Sequence, residues 1–180
     1  AVGTAAAMAS LTGMSPREFG KKRMQRLRQE LLKNDCYLPG ARNEDEKDLA
    51  RGCEIRVTSE RTGYEGRNVI NGIARAVEGE SNQWRSQGIG PDGEVVSLKL
   101  PEAKKISQLR LTFDPNLSEE RCISVSRAFI DKEPVGVAKE LVKDYWVTIY
   151  KDGDVVDVHY ITGNYQRLNV LNLKEDVWAD

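Results

Sequence analysis

The chain has 180 residues, 39% hydrophobic and 31% charged, with 27 Lys and Arg against 28 Asp and Glu. That is enough apolar material for a folded core, which excludes wholesale disorder, collagen and coiled coil. The near-neutral balance removes the basic field that nucleic acid or anionic lipid would need, and no apolar run approaches the roughly 20 residues of a bilayer span. The chain reads as soluble, with neither nucleic acid nor membrane as a partner.

Residues 1–40 are helical in character. Ala5-Ala6-Ala7-Met8-Ala9 is a run of helix formers entered through Gly3-Thr4, with Thr4 as N-cap and Gly13 as the stop. Ser15-Pro16-Arg17-Glu18 combines a Ser cap, Pro at the first helical position and Glu three residues on. In the helix that follows, Phe19, Met24, Leu27 and Leu31 fall near one face, and Lys21, Lys22, Arg23, Arg26 and Arg28 form a solvated basic face. It ends by Asn34-Asp35. The charged residues 41–52 lack an apolar stripe and read as a surface linker or a short helix.

From Cys53 the period changes to two. Apolar residues alternate with polar ones around Ile55-Val57, Val96-Leu98-Leu100, Leu109-Leu111-Phe113, Val147-Ile149 and Val156-Val158-Tyr160, with a late strand over 168–173. Each strand is expected to bury one face, as antiparallel sheets do, and Asp152-Gly153 marks a hairpin. Many strands without intervening amphipathic helices predict a β-sandwich over 53–180.

Chemistry is sparse. Cys36, Cys53 and Cys122 are widely spaced and odd in number, which argues against a disulfide scaffold or a zinc knuckle. His159 is the one histidine, so a triad or a His-rich metal site would have to be built around it alone. No catalytic or metal residue is assigned. Asp114-Pro115, Glu119-Glu120 and Asp131 read as solvated loops without the regular ligand spacing of a calcium loop. Residues 88–93 are Gly-rich but precede a strand, so they form a turn and not a dinucleotide fingerprint. Trp84, Tyr64 and Tyr165 have ring faces suited to a pyranose, and Asn82, Arg85 and Arg167 lie beside them as hydrogen-bonding groups. The competing role for Trp84 is core packing. No signal peptide is visible at the start, and Ala1-Val2-Gly3 suggests an internal fragment, so this end does not disclose the compartment.

Specific strings carry a resemblance. Gly3-Thr4-Ala5-Ala6-Ala7-Met8-Ala9, Ser15-Pro16-Arg17-Glu18, Gln29-Glu30-Leu31-Leu32 and Asp35-Cys36-Tyr37-Leu38-Pro39-Gly40 come first. They are followed in order by Val69-Ile70-Asn71-Gly72-Ile73-Ala74-Arg75, Asn82-Gln83-Trp84, the stretch 106–114, Leu141-Val142-Lys143-Asp144-Tyr145 and Gly163-Asn164-Tyr165-Gln166-Arg167. Together they resemble the C-terminal part of bacterial FAD-dependent oxidoreductases that carry a discoidin-like sandwich. An expression-tag leader over residues 8–13 is the rival source for the start alone.

The resemblance implies a mainly β fold, an antiparallel jelly-roll β-sandwich of galactose-binding-like type preceded by an N-terminal helical hairpin. It implies residues 1–40 as the end of a flavin domain, 41–52 as linker and 53–180 as an accessory sandwich, lacking a further strand or two at its end. FAD would belong to the parent protein, with Gly3, Thr4 and Ala5 near it and none retained by this chain, whose partner is the parent's flavin domain. The second function is a carbohydrate-binding module using Asn82, Trp84 and Arg85. The third is a structural docking domain, which expects an apolar patch on a sandwich face and on the Phe19, Met24, Leu27 stripe.

Overall fold

The alanine run folds as helix α1, Val2–Leu11, and buries Ala9 completely. The computed structural model describes residues 2–116, 126–131 and 135–180. Thr4 is not the cap: the helix starts at Val2 and places Thr4 inside its first turn. The strong propensity of the alanines propagates the helix backward, and each added turn bond offsets the sub-kcal cost of Gly and Thr. Gly13 ends it as expected, with Met14 N–H donating to Ala9 O at 2.9 Å and Gly13 N–H to Ser10 O at 3.1 Å.

The Ser-Pro-Arg-Glu signal is realised as a capping box. Arg17 N–H donates to Ser15 Oγ at 3.3 Å, and Ser15 N–H donates to Glu18 Oε2 at 2.8 Å. It caps a 3-10 turn, Pro16–Phe19, and not the long helix itself. Gly20, at φ 61°, breaks the chain there, and α2 runs separately over Gly20–Lys33. Met24, Leu27 and Leu31 are half-buried on α2 and the five basic residues are exposed, as the stripe predicts. The helix ends on Asp35 at φ 60°, whose Oδ2 lies 3.7 Å from the Arg75 guanidinium.

By its contacts the chain divides into two units, Ala1–Pro101 and Glu102–Asp180, a division inside the segment expected to form one sandwich. The first unit continues with a 3-10 turn, Leu49–Gly52, strand β1 (Glu54–Val57), a 3-10 turn, Gly66–Ile70, and strand β2 (Val96–Lys99). β1 and β2 pair antiparallel, with Ile55 opposite Leu98 and Val57 opposite Val96. Ile55 and Val57 are half-buried, but β2 is exposed along its whole length, against the expected one buried face. Against β1, Gly66 packs so closely that a Cβ there would lie 2.7 Å from Val57 Cγ1.

The second unit holds β3 (Lys104–Thr112), a helical turn Arg127–Ile130, β4 (Tyr145–Lys151), β5 (Asp154–Ile161) and β6 (Leu168–Ala179). β3 pairs antiparallel with β6, and β4 with β5. Asp152 and Gly153, both at positive φ, close the β4–β5 hairpin as expected. Among its described residues, Leu141, Ile149, Leu173 and Ala179 are buried apolar side chains. The two strand pairs meet through Phe113 and Tyr145, whose ring centroids are 5.0 Å apart, and through Tyr145 Oη donating to Asn169 Oδ1 at 3.0 Å. Mainly β, antiparallel pairing and the N-terminal helices are thus as expected.

β5 follows the expected sense only in part. Of the three residues assigned to the core face, Val158 is half-buried but Val156 and Tyr160 are 43% and 79% exposed, while Asp157 and His159 are half-buried. The register explains it: Asp157 lies opposite the buried Ile149 and His159 opposite Val147. The two polar side chains satisfy each other across 3.0 Å, and Asp157 Oδ1 also accepts Val158 N–H at 2.8 Å, so they tolerate that face. The opposite face presents Trp146, 61% exposed, directly across from Tyr160.

Burial pushes the Tyr145 hydroxyl above its ordinary value of 10.0. A phenol with a raised folded-state value contributes stability that is complete below the unfolded value and is lost as pH rises through the folded one. The second unit is therefore expected to weaken as pH rises above about 10. Urea midpoints followed by tyrosine fluorescence check this, and Tyr145→Phe should flatten the dependence while lowering stability at neutral pH.

Candidate functional site

The site lies in the first unit and is built by one tight turn and the segment that pairs with it. Arg61-Thr62-Gly63-Tyr64 closes through Tyr64 N–H donating to Arg61 O at 2.9 Å. Arg85 then bridges both ends: Arg61 N–H donates to Arg85 O at 2.9 Å and Arg85 N–H to Tyr64 O at 3.1 Å. Ser81 Oγ donates to Gly63 O at 2.6 Å, and Gln87 Nε2 to Glu60 O at 3.3 Å. These bonds align two stretches 18 to 27 residues apart in the chain and leave an open cleft of about 490 Å³ between them, lined by Glu60, Arg61, Thr62, Tyr64, Arg85 and Gln87.

The Arg85 guanidinium sits over the Tyr64 ring, 4.7 Å from its centroid. Such a contact contributes about 0.5–1 kcal/mol at an exposed position and holds the cation near the ring. Glu60 Oε2 accepts Gly66 N–H at 2.8 Å. The Glu65 carboxyl, beside the turn, is held below the usual range first by its own backbone N–H and then by that of Gly63, which donates to its Oε1 at 3.1 Å, with Arg67 adding to the effect. The cleft therefore gathers a ring, two guanidiniums, an amide, a hydroxyl and a carboxylate. Its means are hydrogen bonding and stacking.

The anticipated sugar-site residues divide. Arg85 lines the cleft. Trp84 is half-buried and its indole N–H donates to Ser59 O at 2.8 Å, which ties the 81–87 segment to the end of β1. Asn82, at φ 50°, donates through Nδ2 to Arg75 O at 3.1 Å and accepts Asn71 Nδ2 at 2.8 Å. Both polar ends of that amide are engaged within the protein. Tyr165, 69% exposed, and Arg167, whose Nη1 donates to Phe113 O at 3.0 Å, belong to the second unit. Glu60, Arg61, Thr62 and Gln87 carry no signal in the sequence beyond the turn-forming Gly63.

Gly3, Thr4 and Ala5 lie in the first turn of α1, with Gly3 and Thr4 exposed. A Cβ on Gly3 would meet nothing within 4 Å, so no close-fitting cradle demands a glycine there. These residues by themselves do not fit FAD. Among the described residues no group of three or more His, Cys, Asp or Glu is placed to hold a metal ion, and no helix is long and apolar enough to cross a membrane. Asp114 Oδ1 accepts Asn116 N–H at 2.9 Å; Glu119, Glu120 and Cys122 lie outside the described residues.

No protein-family model and no curated protein matches the chain. Among solved structures, the family 32 CBM from C. perfringens NanJ in complex with galactose is similar over 73% of this chain and 80% of its own, at 14% identity and a TM-score of 0.46.

Proposed function

We propose that the chain is a carbohydrate-binding module and that the cleft between the Arg61–Tyr64 turn and Arg85 is its saccharide site. The reading rests on the cleft's side chains and not on the distant structural likeness. The carrying observation is the grouping of Tyr64, Arg85, Gln87, Thr62, Arg61 and Glu60 around one open space of about 490 Å³, room for a monosaccharide unit with water. An aromatic edge beside fixed donors and acceptors is what a pyranose, apolar on its C–H face and polar at its rim, requires. Three or four hydrogen bonds of about 1 kcal/mol each, with some ring contact, amount to an affinity of about 1 mM. On this reading 53–180 forms a galactose-binding-like jelly-roll sandwich, and Asn82 and Trp84 hold the cleft's shape.

Calorimetric titration with galactose and related pyranoses tests it. Saturable heat is expected, with Tyr64→Ala weakening binding by about tenfold or more, since ring and guanidinium lose their mutual support. Absence of binding at millimolar sugar would overturn the proposal.

A second reading is an accessory region of an FAD-dependent oxidoreductase that docks on its flavin domain and is non-catalytic alone. It draws on the resembling strings and on the outward Trp146 and Tyr160 of the β4–β5 hairpin, an apolar face of the kind a docking domain presents. The purified chain is then expected to be colourless; flavin absorbance at about one per chain would sink the expectation that the cofactor sits elsewhere in the parent.

A further inference from the structure

Resting on the saccharide reading of the cleft, we infer that Glu94, outside its lining, is a positioning residue of that site. Through the Ser59 hydroxyl its carboxylate fixes Gln87 in the cleft wall. The 84–87 segment brings Arg85 and Gln87 to the cleft. Ser59, just after β1, grips that segment on both sides of Arg85. Its backbone O accepts the Trp84 indole N–H at 2.8 Å, and its Oγ accepts the Gln87 backbone N–H at 3.1 Å. The same hydroxyl donates to Glu94 Oε2 at 2.8 Å.

A serine hydroxyl has one proton, so the acceptor that takes the proton sets which way the oxygen's lone pairs face. Here that acceptor is a carboxylate, and its charge makes the bond about twice as strong as one to a neutral group. With the proton turned to Glu94, the Ser59 oxygen is left as the acceptor for Gln87 N–H, and the two bonds polarise each other. Glu94 is itself held in place. Its Oε2 also accepts the Thr58 hydroxyl, while Thr58 N–H donates to Val95 O at 3.1 Å and Val95 N–H to Thr58 Oγ1 at 3.1 Å. Ser59 and Glu94 are half-buried and partly shielded from water, whereas Gln87 is exposed. Among the described residues Gln87 is bonded at one further point, Nε2 to Glu60 O at 3.3 Å, so the bond to Ser59 carries much of its placement.

Galactose titrations of the whole chain and of Glu94→Gln, Ser59→Ala, their double variant and Thr58→Val test this. Glu94→Gln keeps the side chain's shape and removes its charge. It and Ser59→Ala should each weaken galactose binding about fivefold, the difference between a charge-assisted bond and a neutral one. The double variant should bind no more weakly than either, because both changes break one chain of bonds. In both single variants the Gln87 amide should exchange its proton with solvent about fivefold faster. Thr58→Val removes a bond to the same carboxylate but none to Gln87, and should bind galactose as the unaltered chain does. Unchanged affinity in Glu94→Gln, an unchanged Gln87 amide, losses that multiply in the double variant, or an equal loss in Thr58→Val would overturn the inference and leave the saccharide reading standing. No galactose binding by the unaltered chain would overturn both.

Discussion

Replacing Asn164 by Ala is expected to destabilise the second unit by about 3 kcal/mol, a large part of what a small unit possesses. Asn164 is buried, and its side chain acts as a clamp in the 163–167 loop. Nδ2 donates to Val142 O at 2.8 Å and to Gln166 O at 3.1 Å, and Oδ1 accepts Gln166 N–H at 3.0 Å. Truncation removes three hydrogen bonds made by one buried side chain, each contributing about 1 kcal/mol. The consequences extend outward: Gln166 O also accepts Asn169 Nδ2 at 3.0 Å, and Asn169 Oδ1 receives the Tyr145 hydroxyl. Asn164→Asp keeps the acceptor for Gln166 but aims a second oxygen at the Val142 carbonyl, and should cost about as much. Urea denaturation followed by circular dichroism measures both. A loss below about 0.5 kcal/mol would mean that the clamp does not hold the loop.

The contrast between this clamp and the cleft shows what a sequence makes legible. Strand positions emerge because alternation depends on local pattern, and Asp152-Gly153 and Ser15–Glu18 announce themselves because their backbone chemistry is local too. The phase of β5 does not emerge. The pattern would bury Val156, Val158 and Tyr160 together, yet the pairing of Asp157 with Ile149 and of His159 with Val147 half-buries the polar pair beside Val158. Glu60 and Gln87 converge only because the 61–64 turn bonds to residue 85, a contact without periodicity. Asn82 stands out in the sequence as a hydrogen-bonding side chain, yet it sits where the backbone turns to φ 50°, a conformation Asn tolerates better than most residues. Its residue type suggests ligand chemistry, and the fold employs it for a bend.

The same logic gives the largest effect expected in the first unit, at Gly72. Its φ of 80° is left-handed, and a Cβ there would lie 2.9 Å from Asn43 O and 3.1 Å from Arg42 Cγ. The approach is close because Asn43 N–H donates to Gly72 O at 2.9 Å, which fastens the charged 41–52 segment to the loop after Gly66–Ile70. Glu44 N–H adds a second anchor, donating to Gln29 Oε1 of α2 at 2.7 Å. Gly72→Ala should therefore incur two costs: about 1 kcal/mol for the left-handed backbone and about 1–2 kcal/mol for a clash with the Asn43 carbonyl, whose retreat would pull the Asn43 N–H from Gly72 O. Gly63 separates the two, because at φ 82° a Cβ on it would meet nothing within 4 Å, so Gly63→Ala incurs the backbone cost alone. Thermal unfolding of the two variants side by side should place Gly72→Ala the lower, by several degrees. Equal losses would mean that the 41–52 segment yields freely, and that its contact with Gly72 adds little to the stability of the unit carrying the cleft.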